Sequence, residues 1–228
     1  MASFLTAIIL AGGQSSRMGR DKALLPLQGA PMIRHIYDVA EACSDRVVVV
    51  TPWPERYRAS LPAGCTFVEE VTQKISLPIA AASAHEDSLH PLGSQGPLVG
   101  FLQGLAAVGS DWALVLACDL PRLHISTLQA WSQQLESLPE QTIALLPKTE
   151  GRWEPLCGFY RCSCQASLAD FVEAGGRSFQ QWLRYQEVHP ISVTDEQIAM
   201  LYNCNTPEDW NRIYRGCAEP WGVTDVGL

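Results

Sequence analysis

Four consecutive valines, Val47 to Val50, constrain the fold of this chain more than any other feature. β-Branched side chains favour extended backbone, and successive side chains of a strand point to opposite faces. An unbroken apolar run therefore predicts a strand, Arg46–Thr51, that is buried on both faces. Such a strand belongs in a parallel sheet lying between two layers of helices. The rest of the chain repeats this rhythm. Thr6–Ala11, Cys65–Glu69, Trp112–Ala117, Thr142–Pro147, Glu154–Tyr160 and Val188–Val193 read as further strands. Helical spacing marks Pro31–Cys43, the stretch from Leu98 to about Gly109, the run Ile125, Leu128, Trp131 and Leu135, and the stretches Ser163–Glu173 and Phe179–Tyr185. A last helix starts at Pro207. The fold class is α/β, with a mostly parallel central sheet and helices on both faces.

No repeat or linker divides the 228 residues, so they read as a single domain, 1–228. Residues 70 to 96 interrupt the rhythm with Pro78, Pro91, three successive alanines and two histidines. A structureless loop of that length is uncommon in a compact domain, so it reads as a flexible flap or a partly helical insert. The formal net charge of −8 disfavours nucleic acid and anionic membrane as partners, since both demand excess Lys and Arg. Phe4–Ala11 is apolar but lacks a basic leader and is too short to span a bilayer. The eight cysteines are scattered, with no Cys-x-x-Cys, and read as reduced thiols in a cytoplasmic protein, disulfides being the minority reading.

The exit of the first strand carries the most unusual chemistry. "LAGGQSSRMGRDKALLPL", residues 10 to 27, is glycine-rich yet matches neither standard phosphate-binding spacing. In open α/β sheets, ligands sit beyond the carboxyl ends of the strands. Gly12 and Gly13 lack a Cβ, so their backbone can approach a phosphate or a base edge closely. Arg17 offers a forked donor and Lys22 a point charge, two ways of holding an oligophosphate, while Arg20 and Asp21 set the loop by local pairing. Asp119 follows an apolar strand at the same edge. A carboxylate there either caps a turn or holds Mg²⁺, which binds through one or two carboxylates plus substrate phosphate oxygens. Asn203 and Asn205 stand before Thr206-Pro207, a plausible helix start; they are turn residues or amide donors to a polar second substrate.

Four segments together resemble a known family. "LAGGQSSRMGRDK", "GPLVG" at 96–100, "ACDLP" at 117–121 and "NCNTPEDW" at 203–210 are similar to the molybdenum cofactor guanylyltransferases, in the same order and over nearly the whole chain. The resemblance implies a Rossmann-like nucleotidyltransferase fold and transfer of GMP from Mg-GTP to the phosphate of molybdopterin, with release of pyrophosphate. It assigns Leu10, Ala11, Gly12 and Gly13 to the nucleotide, Arg17 and Lys22 to its phosphates, and Asp119 to magnesium. Asn203 and Asn205 fall where the family approaches its pterin, and Glu154-Pro155-Leu156 matches the acceptor cleft. Where family members often carry asparagine after the second strand, Val50-Thr51-Pro52 stands here. The aspartate after the third strand corresponds to Glu70, or to Asp87 within the longer insert. The implied partners are GTP and molybdopterin, with transient contacts to other proteins of cofactor biosynthesis.

The chemistry implied in this way needs no histidine. The attacking group is a phosphomonoester that is already largely ionised near neutral pH. Its approach to a triphosphate is opposed by charge, which Arg17, Lys22 and a metal on Asp119 would neutralise while holding an in-line geometry. His35, His85, His90, His124 and His189 therefore read as structural or solvated. The alternatives are a cytidylyltransferase acting on the same pterin, a sugar-phosphate nucleotidyltransferase, and a nucleotide-binding regulatory module without catalysis. Cytidylyltransferases of this type read "LAAG" where this chain reads "LAGG", so the added glycine leaves room for the larger purine, a bias worth about 1–3 kcal/mol.

Overall fold

A computed structural model describes residues 5–13, 21–71 and 96–214. Arg17, Asp87, His85, His90 and Cys217 lie outside the described residues, as does the 70–96 insert except for Glu70, Val71 and Gly96. The first half contains β1 (Leu5–Leu10), a 3-10 turn at Lys22–Leu24, β2 (Pro26–Leu27), β3 (Ala30–Pro31), α1 (Met32–Cys43), β4 (Arg46–Thr51), α2 (Pro54–Tyr57) and β5 (Thr66–Glu69). The second half contains α3 (Pro97–Leu105), β6 (Trp112–Ala117), α4 (Ile125–Ser132), β7 (Ala144–Thr149), β8 (Arg152–Trp153) and β9 (Cys157–Arg161). It ends with α5 (Gln165–Glu173), α6 (Phe179–Leu183), β10 (Val188–Ile191), α7 (Asp195–Met200) and α8 (Pro207–Tyr214).

The main sheet runs β10-β7-β9-β6-β1-β4-β5, with β8 paired to β7 at one side. β1 pairs in parallel with both β4 and β6, and the parallel pairing continues to β5 at one edge. β9 runs antiparallel to both β6 and β7. Its direction follows from the connection before it. Glu150 and Gly151 have φ of 48° and 80°, so the chain reverses in a two-residue turn of the primed type. A parallel crossover needs a dozen residues or more, and none are available there. Gln28 and Gly29, also at positive φ, close the β2–β3 hairpin in the same way.

The four valines behave as their sequence demands. Val47 and Val49 face one core with Ala7, Ile9 and the α1 side chains Met32, Ile33 and Ile36. Val48 and Val50 face the other, with Ile8 and the α3 side chains Leu98 and Phe101. Burying each such side chain stabilises the fold by about 1.5–3 kcal/mol. α4, α7 and α8 contribute Leu128, Met200 and Trp210 to the first core, and α5 and α6 contribute Leu168 and Trp182 to the second. Gly104 lets α3 lie close on the sheet: a Cβ there would stand 2.8 Å from Ile8 and 2.9 Å from Val50.

Several expected boundaries shift. α3 ends at Leu105 rather than near Gly109, where the chain tightens into turns with the Ala107 N–H on the Gly104 carbonyl and the Val108 N–H on that of Leu105. β9 starts at Cys157, since Glu154 and Pro155 are taken up by the return from the hairpin. α7 was not expected; a capping box between Thr194 and Gln197 starts it.

Candidate active site

The carboxyl edges of β1, β4 and β6 meet in the middle of the sheet. The N–H of Ala11 still donates to the Val50 carbonyl at 2.9 Å, and that of Cys118 donates to the Leu10 carbonyl at 3.3 Å. Gly12 and Asp119 are thus the first residues released by adjacent parallel strands. A Cβ on Gly13 would meet no described atom within 4 Å, so packing inside the described fold does not demand a glycine there.

Lys22 is brought to this edge by the 3-10 turn that it opens. Asp21 caps the turn, its Oδ1 accepting the Ala23 N–H at 3.1 Å. Its Oδ2 accepts the Tyr57 hydroxyl at 2.8 Å and lies 3.8 Å from the Arg56 guanidinium. Tyr57 is buried, and burial with the adjacent Asp21 carboxylate pushes its hydroxyl far above the usual tyrosine range. It therefore remains a donor at any working pH. Arg20 lies outside the described residues, and the contacts of Asp21 with Tyr57 and Arg56 come from more than thirty residues away.

From that turn the Lys22 ammonium reaches two oxygens. It lies 3.3 Å from Asp119 Oδ2 and donates to Asn205 Oδ1 at 2.7 Å. An ammonium can only donate, so the oxygen of the Asn205 amide must face it. The side chains of Lys22 and Asp119 are 15% and 21% exposed, which shields the pair from solvent while leaving it reachable. The segments bearing Asp119 and Asn205 are also joined through the backbone, the Cys204 N–H donating to the Asp119 carbonyl at 2.9 Å. Three segments far apart in sequence thus converge on one ammonium.

The Asn205 turn is held by a residue the sequence reading passed over. Asp209 Oδ2 accepts the N–H groups of Asn205 and Thr206 at 3.0 and 2.9 Å, and Thr206 Oγ1 accepts the Asp209 N–H at 3.1 Å. Asp209 Oδ1 accepts the Tyr202 hydroxyl at 2.6 Å. This hydroxyl and the backbone N–H groups hold the Asp209 carboxyl below its usual range. The spacing Thr206-x-x-Asp209 resembles a capping box and was the available signal. Tyr57 had no local signal, since it meets Asp21 from 36 residues away.

Glu70 lies elsewhere. Its N–H donates to the Thr51 carbonyl at 2.9 Å, which places it beyond the β4–β5 edge, two strand spacings or about 10 Å from β1. It is buried, with its carboxylate 3.5 Å from where a Cβ on Gly100 would stand. Next to it, Val71 is paired through both backbone groups with the Gln103 amide, each bond 3.0 Å long. Thr51 is fully buried and its hydroxyl accepts the Trp53 N–H at 3.1 Å. Asn203 is half-buried on the same turn as Asn205.

Two thiols, Cys118 and Cys204, flank the lysine-centred network. Burial and the neighbouring Asp119 push the Cys118 thiol far up, and burial pushes Cys204 to about 11. Among the described residues, no group of three or more His, Cys, Asp or Glu could hold a metal by itself. The donors that converge here are one carboxylate and one amide oxygen. They suit a hard cation that completes its shell with phosphate oxygens and water.

A family model described as the MobA-like NTP transferase domain matches residues 7–189. The chain belongs to this family. A probable molybdenum cofactor guanylyltransferase of Nostoc sp. is 51% identical over 205 residues, covering 90% of this chain and 88% of the relative. A probable molybdenum cofactor guanylyltransferase of Synechococcus elongatus is 42% identical over 207 residues, covering 91% and 96%. Among solved structures, molybdopterin-guanine dinucleotide biosynthesis protein A of Archaeoglobus fulgidus superposes with a TM-score of 0.71 at 22% identity, covering 93% of this chain and 98% of that one. That likeness establishes a shared MobA-like fold. Family membership therefore rests on sequence, and the architecture agrees with it.

Proposed function

We propose that this chain is a molybdenum cofactor guanylyltransferase: it transfers GMP from GTP to the terminal phosphate of molybdopterin, forming molybdopterin guanine dinucleotide and pyrophosphate. The convergence of Lys22, Asp119 and Asn205 beside Gly12 and Gly13 carries this reading. The names borne by relatives at 42–51% identity supply the substrates.

In the reaction, an oxygen of the acceptor phosphate attacks the α-phosphorus of GTP. A new P–O bond forms, the bond between the α-phosphorus and the bridging oxygen breaks, and pyrophosphate carries the electron pair away. Both partners are anionic, so charge is the main obstacle, and positive groups fixed at the site lower it. The Lys22 ammonium, held by the Asp21-capped turn and by Asn205, is placed to meet the phosphates. The backbone of Leu10 to Gly13 allows close approach of the nucleotide, and Gly12, where "LAAG" carries a methyl, favours a purine. Arg17, five residues before Lys22 in the sequence, would add a second cation. Asp119 would hold Mg²⁺, with Asn205 supplying a neighbouring oxygen. When bound, the ion neutralises charge on the triphosphate and the departing pyrophosphate. No side chain is needed as a base, because the acceptor phosphate is largely deprotonated at neutral pH.

The deciding experiment mixes protein, Mg²⁺ and molybdopterin with each nucleoside triphosphate and measures pyrophosphate. Release with GTP is expected, and release with CTP but not GTP would overturn the guanylyl assignment. Silence with every nucleotide would leave a binding module. In the same assay, Asp119→Ala should abolish turnover at saturating Mg²⁺, and near-normal rates would remove Asp119 from the metal.

A further inference from the structure

We propose that Asp209 is a positioning residue for this reaction, acting through Asn205 to aim the Lys22 ammonium. The proposal rests on the reading of Lys22 and Asn205 given above. Its support is that Asp209 makes more bonds than a helix start requires. Capping α8 needs only the reciprocal pair between Asp209 and Thr206. The same carboxylate also accepts the N–H of Asn205 and the hydroxyl of Tyr202. Neither of those groups belongs to α8, which starts at Pro207.

The additional bonds have one geometric result. Asp209 ties Tyr202, two residues past the end of α7, to the first turn of α8, and so draws residues 203–205 into a closed loop. The middle of that loop is fastened to the opposite wall, because the Cys204 N–H donates to the Asp119 carbonyl. Asn205 is thus held by its own N–H to the Asp209 carboxylate and flanked by the Cys204 N–H on the Asp119 carbonyl and the Thr206 N–H on Asp209. Its side chain is on an exposed residue and would otherwise sample several rotamers. With the backbone fixed, Oδ1 is presented to Lys22 at 2.7 Å. A displacement of about 1 Å in such an arrangement can cost about a hundredfold in rate.

A double-mutant cycle tests this. Asp209→Ala, Asp209→Asn and Tyr202→Phe are each made in the native chain and in an Asn205→Ala background, and kcat and KM for GTP are measured alongside thermal melts. Asp209→Ala should lower kcat/KM about tenfold in the native chain but less than about twofold once Asn205 is gone. Asp209→Asn should recover most of the loss: its amide oxygen keeps both backbone N–H bonds, and the Tyr202 hydroxyl can accept from its amide nitrogen. Tyr202→Phe leaves the α8 cap intact. It should lower kcat/KM by about threefold without moving the melting temperature, again only when Asn205 is present. Equal losses in both backgrounds would overturn the proposal, because Asp209 would then act independently of Asn205. Native kinetics for a folded Asp209→Ala would overturn it as well. If Asp209→Ala fails to fold, Tyr202→Phe decides: no loss, or a loss independent of Asn205, defeats the proposal. Native kcat/KM for both Lys22→Ala and Asn205→Ala would instead defeat the underlying reading of the site, and the proposal with it.

Discussion

Lys22 stands at the centre of the site because residues from three segments hold it there. Its turn is capped by Asp21, its ammonium is taken by Asn205, and Asp119 lies close by as a counter-charge. In the proposed reaction this is the cation that meets the triphosphate. Lys22→Ala should weaken GTP binding at least about tenfold, since hydrogen bonds to charged groups are worth roughly 1.5–3 kcal/mol. Titration calorimetry measures this directly, and unchanged affinity would detach the glycine loop from the phosphates. Lys22 and Asp119 stood out in the sequence because charge at the exit of a buried strand is unusual. Asn205 stood out through family resemblance, which assigned it to the pterin side. Its bond to Lys22 depends on a contact across 183 residues that no local pattern encodes. Tyr57 was illegible for the same reason, and Tyr202 because its bond to Asp209, seven residues on, follows no regular helix or turn spacing.

Among the elements, those buried on both faces were the most legible. Arg46–Thr51 and Trp112–Ala117 keep their expected limits, because an unbroken apolar run can end only where the sheet ends. The short pieces were not legible. β2, β3 and β8 are two residues each and turn on Gln28-Gly29 and Glu150-Gly151, which lack the usual Asn-Gly or Asp-Gly signal. The α3 contact with the sheet shows how tightly a legible element can be constrained. Gly104→Ala would gain about 1 kcal/mol in helix propensity. It would also drive a methyl group against Ile8 and Val50, at a cost of about 1–3 kcal/mol. Both neighbours are stiff β-branched residues, so the clash should prevail and lower the melting temperature by a few degrees, about 2–4 °C per kcal/mol. Gly64→Ala, at a position open to solvent, is the control. A melting temperature for Gly104→Ala at or above that of the native chain would show that α3 can lift away from the sheet.

At the scale of the whole molecule, the α/β class and mostly parallel sheet followed from the sequence, whereas the reversed strand β9 did not. A strand's direction is set by the length of the connection before it, and the apolar pattern is the same either way. The cysteines follow the same logic of burial. None of the seven described cysteines is in a disulfide. Burial pushes Cys43, Cys65 and Cys162 to about 11 and Cys164 to about 12. At pH 8 only about a thousandth of a thiol with a pKa of 11 is ionised and reactive. Native protein should therefore resist iodoacetamide at all seven positions over a time in which the urea-unfolded chain is fully alkylated, as peptide mass spectrometry would show. Rapid native labelling of Cys164 or Cys204 would point to opening of the core. The strand order also has a bearing on synthesis. β7 is made before β9 yet sits outside it, so β7 and β10 can join the sheet only together with β9 or after it. A nascent chain ending at Thr149 could assemble β5, β4, β1 and β6, but the flank of β6 would still await its partner. That bare flank is a ready template for pairing with another chain. The twelve residues from Glu150 to Arg161 therefore turn an association-prone half-sheet into one that can be finished.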